Sequence, residues 1–141
     1  MPDHPLKAWG ERWDSKLKLK VAYDPTDKAL TPGVVPLEIP AVDIMLGGGI
    51  PLGRTTILIG EPSSGKTLLA QLVIASAQRR GGRAMFFDIE RTYDPEWFKL
   101  TGVDVSPKKL IVVRPRNLEQ AFDLAVDALE TVKPEVMVID S

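Results

Sequence analysis

The sequence predicts an α/β fold in which a mostly parallel sheet is flanked by helices. From Arg54 onward, short apolar runs rich in β-branched residues alternate with helical patterns. Alternation of this kind is typical of a parallel sheet covered by helices. A glycine-rich loop also joins the first predicted strand to the first predicted helix, and polar residues follow several predicted strands. Ligands of open α/β sheets bind beyond these carboxyl ends, so the site is expected there.

Composition excludes several classes of protein. The chain has 141 residues, of which 44% are hydrophobic and 26% are charged, as in an ordinary soluble globular protein. Its net charge of -1 gives no overall basic field, so nucleic-acid binding would need a local patch. The absence of cysteine excludes disulfides and thiolate metal sites. No apolar run has the length of a membrane span and no secretory signal opens the chain, so a cytoplasmic location is expected.

Residues 1–35 differ from the rest and are predicted to form an arm or linker. Its apolar residues at helical spacing predict a helix, despite an internal glycine, and they are Leu6, Trp9, Trp13 and Leu17. Alternating lysines and apolar residues over 16–21 favour a short strand, and four prolines between 25 and 40 predict an extended connector. Two alternatives stay open: the tryptophans cap the core of their own domain, or the arm docks onto a neighbouring subunit.

The remaining elements follow in order. The glycine-rich stretch 47–53 precedes a strand, unlike a dinucleotide-binding fingerprint, and predicts a tight turn. Strands are predicted at 55–60, 83–88, 110–113 and 135–140, and helices at 66–80, 95–100 and over about four turns from Leu118. Asp94 is the predicted N-cap of the short helix, whose first residue is Pro95. Gly81 and Gly82 suit the C-terminal cap of the helix at 66–80.

One loop carries the most specific signal. The residues Gly60, Glu61, Pro62, Ser63, Ser64, Gly65, Lys66 and Thr67 match the phosphate-binding pattern G-x-x-x-x-G-K-[ST], and Leu68 continues into the helix. Glycines allow the backbone N–H groups to converge on phosphate oxygens, and the helix N-terminus adds partial positive charge. Lys66 would reach the β- and γ-phosphates, and the hydroxyl of Thr67 can ligate Mg²⁺. The loop therefore predicts binding of a nucleoside triphosphate.

Carboxylates at other strand ends complete the predicted site. Asp140 ends the fourth strand and is expected to place Mg²⁺ together with Thr67, although an aspartate in this position can also start a turn. Asp88 and Glu90 follow the second strand, and in a continuing strand both would face the same side. Glu90 is the candidate general base that activates water. The alternative is an exposed ion pair, for example with Arg91.

The combination of motifs resembles the ATPase core of the RecA family of recombinases over about the last hundred residues. The matching segments are Gly48 to Arg54, Gly60 to Thr67, Phe87 to Glu90, Asp94-Pro95, Leu100 to Asp104 and Val138 to Ser141. This resemblance implies a RecA-like phosphate-loop fold and an ATPase that single-stranded DNA stimulates, that uses Mg²⁺, and that forms filaments and exchanges DNA strands. It also implies that Glu90 is catalytic.

The resemblance further implies that Asp94 and Trp97 contact the adenine base, with Trp97 in the place of the usual tyrosine. Tyr93 is an alternative stacking residue, and core packing is the alternative for both aromatics. The DNA-binding loops of the family lie beyond Ser141. We therefore expect residues 36–141 to be a partial core, truncated after the strand of Asp140. A RecA-like motor or regulatory ATPase, or a non-catalytic nucleotide-binding module, are the alternative functions.

Overall fold

The computed structural model describes residues 5–141. They divide into two compact units, residues 5–33 and Val34–Ser141. The first unit contains helix α1, Pro5–Leu17, and a short 3₁₀ helix, Lys28–Leu30. The predicted helix of the arm is therefore confirmed. On α1, Trp9 is exposed, while Trp13 is half-buried and has the ammonium group of Lys16 4.5 Å from its ring centre.

The strand predicted over 16–21 is wrong. Residues 16 and 17 belong to α1, and the backbone after them extends without a strand partner among the described residues. The carboxylate of Asp14 explains this difference, since its Oδ1 accepts hydrogen bonds from the N–H groups of Val21 (2.7 Å) and Ala22 (3.0 Å). A side chain thus satisfies the backbone donors that a neighbouring strand would otherwise bind.

The second unit contains a parallel sheet flanked by helices, which confirms the predicted α/β class. Its elements are β1 Val34–Val35, α2 Pro40–Met45, β2 Ile50–Pro51, α3 Lys66–Arg79, β3 Ala84–Asp88, α4 Pro95–Leu100, β4 Leu110–Val113, α5 Leu118–Thr131 and β5 Val136–Asp140. The main sheet has the order β4-β3-β5, and both pairs are parallel. β1 and β2 pair antiparallel in a separate small sheet.

The middle strand β3 separates two layers of core side chains. On one face, Phe86 packs with Ile74 of α3, Phe98 of α4 and Leu110 of β4. On the other face, Phe87 packs against α5, which contributes the small residues Ala121, Ala125 and Ala128. All five residues of β3 are buried, as expected for a strand with a partner on each side and helices on both faces.

The strand predicted at 55–60 is wrong. These residues form no strand, and Ile57 and Ile59 are 76% and 92% exposed. Among the described residues, β5 is bonded on one edge only, to β3, and no ladder reaches 55–60. An apolar run becomes a buried strand only where a neighbouring strand provides backbone hydrogen bonds and a helix covers its side chains. Residues 55–60 have no strand partner among the described residues, and both isoleucines of the run are exposed.

The glycines after α3 cap the helix as predicted. Gly81 adopts a φ of +93° after α3, and Gly82 N–H donates to the carbonyl of Ala77 at 2.9 Å, which completes the helix cap. The tight turn predicted over 47–53 is confirmed only in part: the chain turns at 47–49, where Gly49 has a φ of +139°, but Ile50 and Pro51 form β2. The connector is only partly extended, since Pro40 begins α2. Proline suits the first helical position, where no N–H is required.

Gly49→Ala should destabilise the fold more than Gly53→Ala. A Cβ on Gly49 would clash with the carbonyl oxygen of Val35, whereas Gly53, at φ +65°, faces open space. We expect a loss of about 3 kcal/mol or more for Gly49→Ala, and about 1 kcal/mol for Gly53→Ala, where only backbone strain acts. Urea unfolding monitored by circular dichroism measures both, and equal losses would contradict the proposed close contact.

Candidate nucleotide-binding site

The phosphate-loop residues form a compact turn around the ammonium group of Lys66. Nζ of Lys66 donates to the carbonyl oxygens of Gly60 (3.0 Å) and Glu61 (2.9 Å), at the start of the loop. Gly65 has a φ of +90° and directly precedes α3. The first backbone hydrogen bond of this helix runs from the N–H of Leu69 to the carbonyl oxygen of Gly65. A residue with a side chain would be strained at this φ, so the glycine permits the loop to enter the helix.

The structure brings Thr67 and Asp140 together, although 73 residues separate them. Oγ1 of Thr67, in the first turn of α3, donates to Oδ2 of Asp140 at 3.2 Å, at the carboxyl end of β5. α3 packs against β5, which brings the start of the helix to the end of the strand. A hydroxyl and a carboxylate are oxygen ligands of the kind that Mg²⁺ takes, with water and phosphate completing its octahedron. Thr67 and Asp140 are therefore suitable ligands for the predicted Mg²⁺, and binding of the metal at this site stays a prediction.

Asp88 and Glu90 lie in different environments. β3 ends at Asp88, so the two side chains do not continue one strand face. Asp88 is fully buried, whereas Glu90 is exposed and makes no hydrogen bond or ion pair with any described residue, Arg91 included. Ile89 N–H donates to the backbone carbonyl of Asp140 at 3.3 Å, so Glu90 follows directly after a contact with the end of β5. The general-base role of Glu90 stays a prediction.

A cleft of about 290 Å³ opens beside the phosphate loop. Its lining residues are Ser63, Ser64, Gly65, Lys66, Thr67, Leu68 and Trp97. Trp97 lies on α4 and is 51% exposed, so part of its ring surface is free. The volume is near the lower end of ligand pockets, about 300 Å³. Of the residues predicted to bind the nucleotide, Gly60, Glu61, Pro62 and Asp94 do not line this cleft.

Asp94 and Tyr93 have structural roles near the cleft. The carboxylate of Asp94 is the predicted N-cap of α4, and its Oδ1 accepts from the N–H groups of Glu96 (2.9 Å) and Trp97 (3.3 Å). Tyr93 packs edge-on against Phe98, with ring centres 4.6 Å apart. Burial raises the pKa of the Tyr93 phenol above its ordinary value. Tyr93 is therefore half-buried against the core, and of the two candidate stacking residues only Trp97 lines the cleft.

Arg114 is a residue of the site that was not predicted from the sequence. This residue follows β4, and its Nε donates to Oδ2 of the buried Asp88 at 2.9 Å. The pairing depends on the register in which Phe87 lies opposite Val113, which the sequence does not reveal. One feature of the sequence could have suggested this pair. Arg114 directly follows a predicted strand, and the predicted strand before it in the chain ends in Asp88.

Comparison with known proteins identifies the family. A family model described as the RecA N-terminal domain matches residues 25–141. RecA of Aquifex aeolicus is 41% identical over 143 residues, which cover 91% of this chain and 41% of that protein. RecA of Roseiflexus castenholzii is 44% identical, and RecA of Francisella tularensis subsp. novicida is 45% identical, each over 109 residues. These two alignments cover 77% of this chain and 30% of each relative.

The fold and the comparisons together define an α/β protein of a recombinase family. The chain belongs to the RecA family. It spans between 30% and 41% of the length of the three relatives named above. Within residues 5–141, no helix is both long and apolar enough to cross a bilayer.

A double-mutant cycle should detect the bond between Thr67 and Asp140. We expect Thr67→Val and Asp140→Ala to be coupled by about 1 kcal/mol in urea unfolding without nucleotide or metal, since each removes one side of the same hydrogen bond. Thr67→Ser keeps a hydroxyl and serves as the control, with little coupling lost. Strictly additive losses in the double variant would show that the two side chains do not interact.

Proposed function

We propose that this chain binds ATP with Mg²⁺ and carries part of the machinery of a DNA-dependent ATPase of recombination and repair. The observation that carries the proposal is the 3.2 Å contact between Thr67 and Asp140 beside a loop wrapped around Lys66. These three groups supply the charge and the oxygen ligands that a magnesium triphosphate requires. Membership of the RecA family supports recombination over the helicase-like and clock-type alternatives.

Each residue has a defined role in this proposal. Backbone N–H groups of the loop and Lys66 bind and neutralise the phosphates, with the amino end of α3 beneath them. The hydroxyl of Thr67 and the carboxylate of Asp140 would hold Mg²⁺, which supplies charge neutralisation at the phosphates when bound. Trp97 offers an exposed ring for stacking on the base, and the capped helix that begins after Asp94 presents it.

Glu90 is the proposed general base. Its exposed carboxylate is free of ion pairs among the described residues, so it can accept a proton from water. It lies in the loop between Asp88 and Thr92, which starts beside the backbone of Asp140. A base that orients or deprotonates the attacking water is the component that the phosphate loop itself lacks.

The proposal for the whole protein goes further. RecA-type activity implies single-stranded DNA as a partner and assembly into filaments. We also propose a cytoplasmic location and, as a separate hypothesis, docking of residues 1–35 onto a neighbouring subunit. ATP hydrolysis by such a protein should be faster with single-stranded DNA, measured as phosphate release. Equal rates with and without DNA, in a filament-forming protein, would count against the recombinase assignment.

A non-catalytic nucleotide-binding module is the second candidate. The chain spans at most 41% of the three named relatives, and the side chain of Glu90 makes no hydrogen bond or ion pair with the described residues. If the 141 residues bind MgATP and never release phosphate, with or without DNA, this description fits the chain itself better. Measurable turnover by the chain alone would exclude it.

Lys66→Ala should weaken MgATP binding by about 10- to 100-fold, which corresponds to the loss of hydrogen bonds to a charged group. Isothermal titration calorimetry measures the affinity. Lys108→Ala is the matched control, because Lys108 lies on the exposed surface before β4 and outside the cleft. Similar affinities in the two variants would contradict the phosphate-binding role of Lys66.

Glu90→Gln should leave MgATP affinity within about twofold and reduce hydrolysis by about 100-fold or more, because the amide cannot take the proton. Glu96→Gln is the control, since Glu96 is also exposed and its side chain pairs, among residues 5–141, only with Lys99 on α4. Phosphate release and calorimetry are measured on the same samples. Normal turnover of Glu90→Gln would refute the assignment of the base.

A further inference from the structure

The buried carboxylate of Asp88 collects three hydrogen bonds at the end of β3. Its Oδ1 accepts from the N–H of Thr92 at 2.8 Å, and its Oδ2 accepts from the N–H of Tyr93 at 3.4 Å. Nε of Arg114 donates to the same Oδ2 at 2.9 Å. The side chain of Asp88 has no exposed surface, whereas that of Arg114 is 49% exposed. A buried carboxylate requires such partners, because an unpaired buried charge is strongly unfavourable.

Two of these donors belong to the loop that contains Glu90. The loop leaves β3 after Asp88 and returns to it at Thr92, so the carboxylate closes residues 89–91 into a short arc. Arg91 has a φ of +59° within this arc, a conformation that non-glycine residues adopt only when surrounding contacts hold it. Ile89 N–H is bound to the carbonyl of Asp140 at the other end. The backbone of Glu90 is therefore restrained on both sides.

We propose that Asp88 and Arg114 are positioning residues that hold the Glu90 loop against the end of β5. Arg114, which follows the neighbouring strand β4, provides the countercharge for the carboxylate of Asp88. This carboxylate in turn holds the loop by accepting hydrogen bonds from the N–H groups of Thr92 and Tyr93. The proposal rests on the proposed role of Glu90, whose side chain makes no hydrogen bond or ion pair with the described residues. Catalytic groups act only when neighbouring contacts hold them close to their working geometry.

Arg114→Met tests the proposal in the 141-residue chain. Without the countercharge, the bonds of Asp88 to the loop weaken, so the amides of Thr92 and Tyr93 should exchange with solvent about tenfold faster. Arg116→Met is the matched control, because Arg116 follows two residues later, is exposed and makes no side-chain bond with the described residues. Arg114→Lys keeps the charge and should restore part of the protection.

Kinetics separate positioning from general stability. In Arg114→Met, kcat for ATP hydrolysis should fall by about 10- to 100-fold while KM stays within about twofold, since the phosphate loop is untouched. Equal amide exchange in Arg114→Met and Arg116→Met would overturn the proposal. Faster exchange with unchanged kcat, or a change confined to KM, would also overturn it. Where Arg114→Met does not fold, Asp88→Asn replaces it with the same expected results.

Failure of the proposed function gives a different pattern. If the unmodified chain binds MgATP but shows no hydrolysis, the proposed ATPase activity of this chain fails, and amide exchange alone decides whether the pair holds the loop. In that case, faster amide exchange at Thr92 and Tyr93 in Arg114→Met supports the role of Asp88 and Arg114 in holding the loop, and unchanged exchange rejects it. The two proposals are thus tested by separate measurements on the same variants.

Discussion

The parallel pairing of β3 with its two neighbours determines where the polar groups of the site lie. Because all three strands run in one direction, their carboxyl ends meet at one edge of the sheet, and this edge carries Asp88, Arg114 and Asp140. α3 packs on β5 and brings Thr67 to the same edge. The core supports this arrangement, since Phe86 and Phe87 anchor β3 to the helices on opposite faces. Shifting the register by one residue would exchange these faces and separate the polar groups.

Local patterns predicted the elements whose burial depends on their own sequence. α3, β3, β4, α5 and β5 all appear within a few residues of the expected bounds, because each combines a clear periodicity with a defined end. Two of the errors share a different cause. The apolar run at 55–60 lacks a ladder partner among the described residues, and the run at 16–21 loses its donors to Asp14. Both concern the partner of a segment, which periodicity does not specify. The third error is of another kind, since Pro40 begins a helix at the one position where a proline suits it.

Some features of the candidate site could likewise be predicted from the sequence, and others could not. Residues contiguous in the phosphate loop were recognisable as a motif, and the rule for strand ends predicted that Thr67 and Asp140 would meet across 73 residues. The choice between Tyr93 and Trp97 could not be made from the sequence, because it depends on which of the two rings packs against Phe86 and Phe98. The bond from Arg114 to Asp88 was equally hidden, since it depends on the register of β4. The spacing of residues along the sequence shows which side chains could take part in the site. The packing of strands and helices determines which of these side chains interact.

The engagement of Lys66 with its own loop has a consequence for affinity. The ammonium group already has two carbonyl partners, so in the proposed function an arriving phosphate would replace bonds instead of adding them to a bare cation. Part of the cost of ordering the long lysine side chain is therefore met during folding. Selectivity would then follow from this exchange, because an incoming oxygen must attract the lysine more strongly than two peptide carbonyls do. A doubly charged terminal phosphate would do so through charge-assisted hydrogen bonds, and a neutral polar molecule would gain less.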